Sequence, residues 1–503
     1  MPAKAIMVQG TASNVGKSVL VAALCRIFRQ DGYRVAPFKG QNMALNSYIT
    51  QDGLEMGRAQ VMQAEAAGIA PDVRMNPILL KPTSDVGSQV ILNGKAIGNR
   101  TAQEYWGDKK SLLPFVRQAY ESLSDEYDII VIEGAGSPAE INLKQDDLVN
   151  MGMAKLAGAP VLLVGDIDRG GVFASLYGTI KLLDPDEQAR IQGLIINKFR
   201  GDLEILRSGL KQLETLTGKP VVGVAPYVKL DLDDEDSLSE RLEEKRFTNA
   251  PVQIVVIRLP HLSNFTDFSA LERIPAVGVR YAEAPDQLEE ADLIIIPGTK
   301  STIDDLKWMR MHGLESKLHR LYQANTPILG ICGGYQMMGQ RLSDPYGVEG
   351  GGEIRGMGFL PTETIFHAEK TTTQANGEIL APGGIFSCLA GAHTAGYEIH
   401  MGETILLDGA SPLQTLARGH TVVQDGCWFD HAYGTYLHGI LDEPSVLEPL
   451  VSALLQRKGL SADRVEAFDP VQYKEQQYDK LADLMRASLD MTRIYEILEG
   501  SYA

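Results

Sequence analysis

Cys332 stands in the stretch Ile328-Leu329-Gly330-Ile331-Cys332-Gly333-Gly334-Tyr335-Gln336. An apolar run that reads as a buried parallel strand leads into it, and residues 335–341 read as the start of a helix. A single thiol between glycines at a sharp strand-to-helix turn is the pattern of a nucleophile elbow. There the partial positive charge of the helix N-terminus favours thiolate. When such a thiolate adds to a carbonyl carbon, negative charge develops on the oxygen, and the N–H of Gly333 is placed to face it. The loop N–H groups of Gly298 and Thr299, which follow the strand at 291–296, supply a second donor. A lone cysteine is more often a small buried hydrophobe, so the reading needs a base. His438, in Tyr436-Leu437-His438-Gly439, closes a strand just before a turn and is the best base in the chain.

A second chemical pattern opens the chain. Gly10-Thr11-Ala12-Ser13-Asn14-Val15-Gly16-Lys17-Ser18 follows the strand at 5–8 and precedes a helix expected at 19–30. Backbone N–H groups of such a loop, among them those of Thr11, Asn14, Val15 and Gly16, cradle the phosphates of ATP at a helix N-terminus. Lys17 reaches the β/γ-phosphates and Ser18 holds Mg²⁺. Five residues separate Gly10 from Gly16, one more than the standard phosphate loop has. Glu133 ends the apolar strand at 127–132, where a carboxylate binds Mg²⁺ directly or through water. Asp52 is a further metal candidate, although Asp52, Glu55, Arg58 and Gln60 read equally well as a solvated helix start. Gln41, Asn42, Asn46 and Ser47 form a polar loop beyond the carboxyl end of the second strand, where α/β proteins put ligands. After Glu133 come Glu140, Asn142, Asp146 and Asp147, a set of oxygen ligands on irregular chain.

These groups need two α/β scaffolds. Strands at 5–8, 33–39, 127–132, 160–168, 191–198 and 220–224, separated by helices, predict a doubly wound parallel sheet. A charge-rich stretch follows, and a second α/β unit starts at 252, with strands at 252–257, 291–296 and 328–331. Residues beyond 445 read as helical, with Leu481, Leu484, Leu489 and Ile497 apolar amid charge. The expected division is a phosphate-loop domain over 1–235, a charged linker over 236–250, an elbow-bearing domain over 251–444 and a helical appendage over 445–503. At 503 residues two or three domains are expected, and 44% apolar with 22% charged residues is a globular composition. The net charge of −18 argues against a nucleic-acid partner. Four cysteines without a C-x-x-C pair fit a reducing compartment and give no zinc framework. No apolar run reaches membrane-spanning length, and no signal peptide precedes the first strand, so the expected location is cytoplasmic.

The lengthened phosphate loop resembles that of dethiobiotin synthetase and its relatives, which activate carboxylates with ATP. Both patterns in one chain resemble the cobyric acid synthases, glutamine-hydrolysing amidotransferases of cobalamin biosynthesis. The resemblance is carried by residues 10–18, Gln41 to Ser47, Glu133-Gly134-Ala135-Gly136-Ser137, Pro297-Gly298-Thr299-Lys300-Ser301-Thr302, the elbow and Tyr436 to Gly439. It implies a synthetase domain followed by a class I glutamine amidotransferase-like domain. It implies that Cys332 attacks the side-chain amide of glutamine and that His438 protonates the leaving ammonia. ATP then activates the b, d, e and g carboxylates of adenosylcobyrinic acid a,c-diamide as acyl phosphates. In this scheme Asn197 binds the adenine edge. Asp146 positions the carboxylate, its acyl phosphate or the ammonia, and Gln41, Asn42, Asn46, Ser47 and Asn142 meet the corrinoid. Many class I glutaminases carry a glutamate two residues after the histidine, and here that position is Ile440. Glu398 is then a candidate to orient His438, on position only. The alternatives are the sister a,c-diamide synthase, a regulatory ATPase of the same loop group, and a cysteine hydrolase with a structural first domain. The ammonia route and the oligomeric state stay open.

Overall fold

A computed structural model describes residues 2–84, 87–144, 147–228, 231, 250–461 and 469–500. The chain divides into two units. One comprises Met1–Ala44, Met56–Asp236 and Val471–Ala503, the other Leu45–Glu55 and Ser237–Pro470. The expected linker at 236–250 lies, but for Ala250, outside the described residues.

The first unit is built on six strands: β1 (Lys4–Gly10), β2 (Val35–Phe38), β3 (Ile129–Glu133), β4 (Val161–Asp166), β5 (Ile191–Phe199) and β6 (Val221–Pro226). They lie in the order β6-β5-β4-β1-β3-β2 and every pairing is parallel. Ile6, Val8, Ile129, Val131, Leu162 and Val164 are fully buried, as a sheet covered on both faces requires. The register decides the chemistry. Val8 pairs with Glu133, so the acid lies at the strand end next to the one that runs into the phosphate loop. Helix α1 (Lys17–Gln30) starts two residues earlier than expected, directly from Gly16. A smaller four-stranded sheet is inserted after β2, with Gln41–Met43 pairing parallel to Ile78–Leu80.

The second unit repeats the principle with β7 (Val252–Ile257), β8 (Val277–Ala282), β9 (Leu293–Ile296), β10 (Ile328–Ile331), β11 (Cys427–Phe429) and β12 (Ala432–Thr435), in the order β8-β7-β9-β10-β12-β11. All pairings are parallel except that of the edge strand β11. Ile296 pairs with Gly330 and Ile331 with Thr435, which brings the carboxyl ends of β9, β10 and β12 side by side. Cys332, Gly298–Thr299 and His438 all leave from those ends. A long antiparallel pair, Thr362–Ile379 with His393–Leu406, belongs to a second sheet.

Three expectations need correction. The helix after the elbow is only Gly333–Met338, and Arg341–Asp344 is a strand, because the chain turns extended at Gly339. Glu55, Arg58 and Gln60 are buried rather than solvated; Glu55 pairs with Lys370 at 2.5 Å, and the helix begins at Arg58. The C-terminal region is not one appendage. Pro444–Arg457 stays with the second unit, while α2 (Pro470–Ser488), apart from its first residue, and α3 (Met491–Glu499) return to the first. Tyr478, Leu481, Ala482, Met485, Ile494 and Ile497 join Leu20, Leu24, Ile27 and Phe28 of α1 in one apolar cluster. Arg26 adds a 2.8 Å ion pair to Asp479. Among the described residues no helix is long and apolar enough to cross a membrane. Because Leu481 is fully buried in that cluster, Leu481→Ala should cost the first unit about 2–5 kcal/mol. Chemical denaturation should show the loss in the transition that reports nucleotide-site unfolding; a midpoint unchanged from the parent would mean the C-terminal helices add nothing to that core.

Candidate active site

At the elbow the backbone of Cys332 takes φ 51° and ψ −110°, a conformation a non-glycine residue holds only when its surroundings enforce it. They do so closely. A Cβ at Gly334 would lie 2.0 Å from the carbonyl oxygen of Ile296, so glycine alone lets the helix approach β9. The Cys332 N–H donates to Thr435 O at 2.8 Å, which ties the nucleophile to the strand leading to His438. Its Sγ lies 3.5 Å from the carbonyl oxygen of Ile399.

His438 is fully buried, and its Nδ1 lies 2.7 Å from Oδ2 of Asp267. The other oxygen, Oδ1, accepts the Gly439 N–H at 3.1 Å. Asp267 therefore fixes both the ring and the backbone beside it. This corrects the expectation for Glu398, whose carboxylate is taken by Arg418 Nε and Nη2 at 2.5 and 2.6 Å. The chain approaches His438 from a second side: Tyr397 and His438 exchange both backbone hydrogen bonds, and their rings stack at 5.4 Å. On the side away from Asp267, Cys332 is close enough to act on the imidazole charge. Burial alone would drive the proton off this ring. The Asp267 carboxylate, through charge and hydrogen bond, and then Cys332 outweigh burial and push the pKa up to about 10. A protonated imidazole at neutral pH is the state this favours.

The Gly298–Thr299 loop sits against the same place. A Cβ at Gly298 would come within 2.9 Å of His438 Cε1, and one at Gly333 within 3.1 Å of the Thr299 amide nitrogen. Thr299 Oγ1 donates to the buried carboxylate of Asp305 at 2.5 Å, which holds the loop. Gly298, Thr299 and Gly333 are thus gathered where an oxyanion would form. Nearby, half-buried Glu349 accepts from Ile303 N at 3.2 Å; desolvation raises its pKa to about 7, against the opposing charge of Lys300.

In the first unit the phosphate loop leaves β1 through Gly10, and the Thr11 N–H donates to Val164 O at 2.9 Å. Asn14 and Gly16 take positive φ, and Val15 is buried. Lys17 Nζ lies 3.1 Å from Ala12 O and 3.4 Å from Gly136 O, bent over the loop from inside. Ser18 Oγ donates to Glu133 Oε1 at 2.8 Å, so the two expected metal ligands are already in contact. The same carboxylate receives Lys39 Nζ at 3.1 Å and Gln63 Nε2 at 2.5 Å. Asn197 gives its Nδ2 to Val15 O at 2.8 Å, so it braces the loop.

Other expected site residues are placed differently. Asp52 lies on an exposed turn of the segment grouped with the second unit, and Gly53 N–H bonds Thr50 O within that turn. No cluster of three acidic, histidine or cysteine side chains suited to a metal occurs among the described residues. Asp147 is a cap rather than a free ligand: it accepts the N–H groups of Val149, Asn150 and Gly152 at 2.9–3.0 Å. Asn142 is exposed, and Asp146 lies outside the described residues. Gln41 Oε1 accepts from Tyr105 at 2.5 Å, and Asn42 is buried with its amide on Gln60. Asn46 and Ser47 are buried in the second unit and already hydrogen-bonded there, Asn46 Oδ1 to Phe265 N and Ser47 N to Asn264 Oδ1.

Sequence reasoning passed over Asp267 and Lys39. Lys39 follows a strand at its carboxyl end, where ligands collect, and that signal was present. Asp267 sits in Asn264-Phe265-Thr266-Asp267-Phe268, which has no motif, and only folding brings it across 171 residues to His438.

Residues 253–446 match the CobB/CobQ-like glutamine amidotransferase domain, and residues 6–239 the CobQ/CobB/MinD/ParA nucleotide binding domain. The chain is 59% identical over 501 residues to a cobyric acid synthase of Ruminiclostridium cellulolyticum, spanning 99% of this chain and 97% of that one. It is 56% identical to a cobyric acid synthase of Lachnoclostridium phytofermentans, over 99% of each chain. A third, from Alkaliphilus metalliredigens, is 53% identical over 98% of this chain and 100% of its own.

The raised His438 pKa depends on the Asp267 charge, so Asp267→Asn should move proton loss from the imidazole to lower pH, where burial is no longer opposed. The alkaline limb of glutamine hydrolysis should shift down with it, and kcat should fall about a hundredfold or more. A pH–rate profile whose alkaline limb stayed where the parent has it would remove Asp267 from the pair.

Proposed function

The chain belongs to the cobyric acid synthase family, and we propose that its two sites work in series, Cys332 and His438 freeing ammonia and the Lys17–Ser18 loop preparing the acceptor. The reaction is the ATP- and glutamine-dependent amidation of the b, d, e and g carboxylates of adenosylcobyrinic acid a,c-diamide to cobyric acid. The observation that carries the assignment of roles is the buried Asp267–His438 pair beside a strained cysteine, in the same chain as a phosphate loop whose serine touches Glu133.

In the second unit the Cys332 thiolate adds to the side-chain amide carbon of glutamine. The N–H groups of Gly333 and of the Gly298–Thr299 loop receive the charge on the carbonyl oxygen. His438, charged at neutral pH, gives its Nε2 proton to the leaving ammonia, and water then hydrolyses the thioester to glutamate with the imidazole as base. In the first unit Lys17 and the loop N–H groups bind the phosphates of ATP, and Asn197 Oδ1 accepts from the adenine. The γ-phosphoryl group passes to a corrinoid carboxylate, and ammonia displaces phosphate from the acyl phosphate. A carboxylate acylates nothing unaided, which is why each amide consumes one ATP.

Ser18 Oγ and the Glu133 carboxylate fit Mg²⁺, a hard cation that takes one or two protein oxygens and fills its shell with phosphate and water. When bound there, Mg²⁺ supplies charge neutralisation for the phosphates. Lys39, on the same carboxylate, adds positive charge on the protein side. Gln41, Asn42 and Asn142 are the expected polar contacts that go with the corrinoid, and Asp146 the group that positions the reacting carboxylate. The reaction is assigned to the cytoplasm, where ATP and glutamine are supplied.

Cys332→Ala should abolish glutamine-driven amidation and leave ammonium-driven amidation, because only the nitrogen source is lost. Loss of both would give the cysteine a structural or synthetase role. Lys17→Ala should remove amidation with either nitrogen source while glutamine hydrolysis persists at a basal rate. Mass spectrometry of the products formed from the a,c-diamide reads both variants, and normal corrinoid-dependent ATP turnover by Lys17→Ala would overturn the phosphate-cradle assignment.

A further inference from the structure

Asn46 and Asn264 hold each other's backbones. Asn46 Oδ1 accepts the N–H of Phe265 at 3.3 Å, and Asn264 Oδ1 accepts the N–H of Ser47 at 3.2 Å. Both side chains are 2% exposed. Asn264 sits at φ 53° and ψ 42°, a left-handed conformation that asparagine tolerates better than other non-glycine residues. Its carbonyl accepts the Asp267 N–H at 3.1 Å. The clamped turn is therefore the one that aims the Asp267 carboxylate at His438 Nδ1 and at the Gly439 N–H. A second line runs from the same short segment. Ser47 O accepts from Tyr397 Oη at 3.2 Å, and the Tyr397 ring stacks on the His438 ring with an interplanar angle of 19°. Tyr48 packs edge-on to Tyr397 at 5.6 Å. Both the acid behind the imidazole and the ring beside it thus rest on residues 46–48, which lie more than 200 residues away in sequence from Asp267.

We propose that Asn46 and Asn264 are positioning residues for glutamine hydrolysis: their reciprocal amide clamp fixes the Asp267–His438 geometry. The inference rests on the glutaminase reading of Cys332 and His438. It gives Asn46 a task other than corrinoid contact, and its own side chain argues for that, since the atom that would meet a ligand is buried and already accepting a backbone N–H. Without the clamp the turn at 264–267 loses a backbone partner on each side, and the carboxylate that holds the imidazolium charged is free to drift. An acceptor at position 46 is what the geometry requires, so a carboxylate there serves and a methyl group does not.

The test uses the full-length enzyme with glutamine, and separately with ammonium, ATP and the a,c-diamide. Asn46→Ala should lower kcat for glutamine hydrolysis about ten- to a hundredfold with KM within about twofold, the cost expected when a catalytic group is misplaced by an ångström or less. Its alkaline limb should move to lower pH, because Asp267 supports the His438 proton less well. Asn264→Gly, which keeps the left-handed backbone and deletes only the acceptor, should do the same without a change in unfolding midpoint that a folding defect would bring. Asn46→Asp should restore most of the rate. Ammonium-driven amidation should be unaffected in all three. Wild-type kcat and an unmoved alkaline limb in Asn46→Ala and Asn264→Gly would overturn the clamp, as would a parallel loss of ammonium-driven amidation, which is what a corrinoid contact predicts. Glutamine hydrolysis surviving in Cys332→Ala would instead refute the glutaminase reading beneath it.

Discussion

The second unit depends on one buried charge pair. An imidazole with no access to water is neutral unless an anion is held against it, since desolvation disfavours the charged form. Asp267 supplies that anion at 2.7 Å and is itself buried. A buried carboxylate without enough donors costs several kcal/mol, so its second oxygen takes the Gly439 N–H. Each partner thus makes the other tolerable, and neither geometry can relax alone. The strained Cys332 backbone belongs to the same construction. Its ψ of −110° is enforced by glycines that admit the helix to within contact of β9 and by the strand bond to Thr435.

The first unit meets the same constraint with a different balance. Glu133 is 1% exposed and carries no histidine. Its charge is met by Lys39, and its remaining lone pairs by Ser18 and Gln63, from three separate stretches of chain. Those donors explain why Arg58–Ala67 is a buried helix rather than the start of a solvated one: Gln60 and Gln63 both face the acid. The phosphate loop is braced by Asn197 on Val15 and by Lys17 on the carbonyl of Ala12. Preformed cradles of this kind lower the ordering cost of binding.

The polar run from Gln41 to Ser47 shows how one motif serves two ends. Gln41–Met43 forms a strand of the first unit, and four residues after Met43 Ser47 begins a strand of the second. Read as a string, its amides look like a ligand loop, because buried polar groups and ligand-binding groups have the same composition. What separates them is whether the chain itself satisfies their hydrogen bonds. Asn46 and Ser47 are satisfied within the second unit.

The sequence alone determined the two α/β scaffolds, the phosphate loop, the elbow and His438. Each is local: apolar runs of strand length, glycines at a turn, a lysine-serine pair at a helix start. It also placed Glu133, because an acid ending a buried strand has few other uses. It did not determine the third member of the hydrolytic site. Glu398 and Asp267 are both buried acids, and nothing in their flanking residues says that one meets Arg418 and the other His438. Nor did it determine where the C-terminal helices pack, since an amphipathic stripe states that a face is covered and not by what. Those choices belong to the tertiary structure, because strand order and crossover set which carboxyl ends lie side by side, and a hydrogen bond between residues 171 apart exists only after that order is fixed.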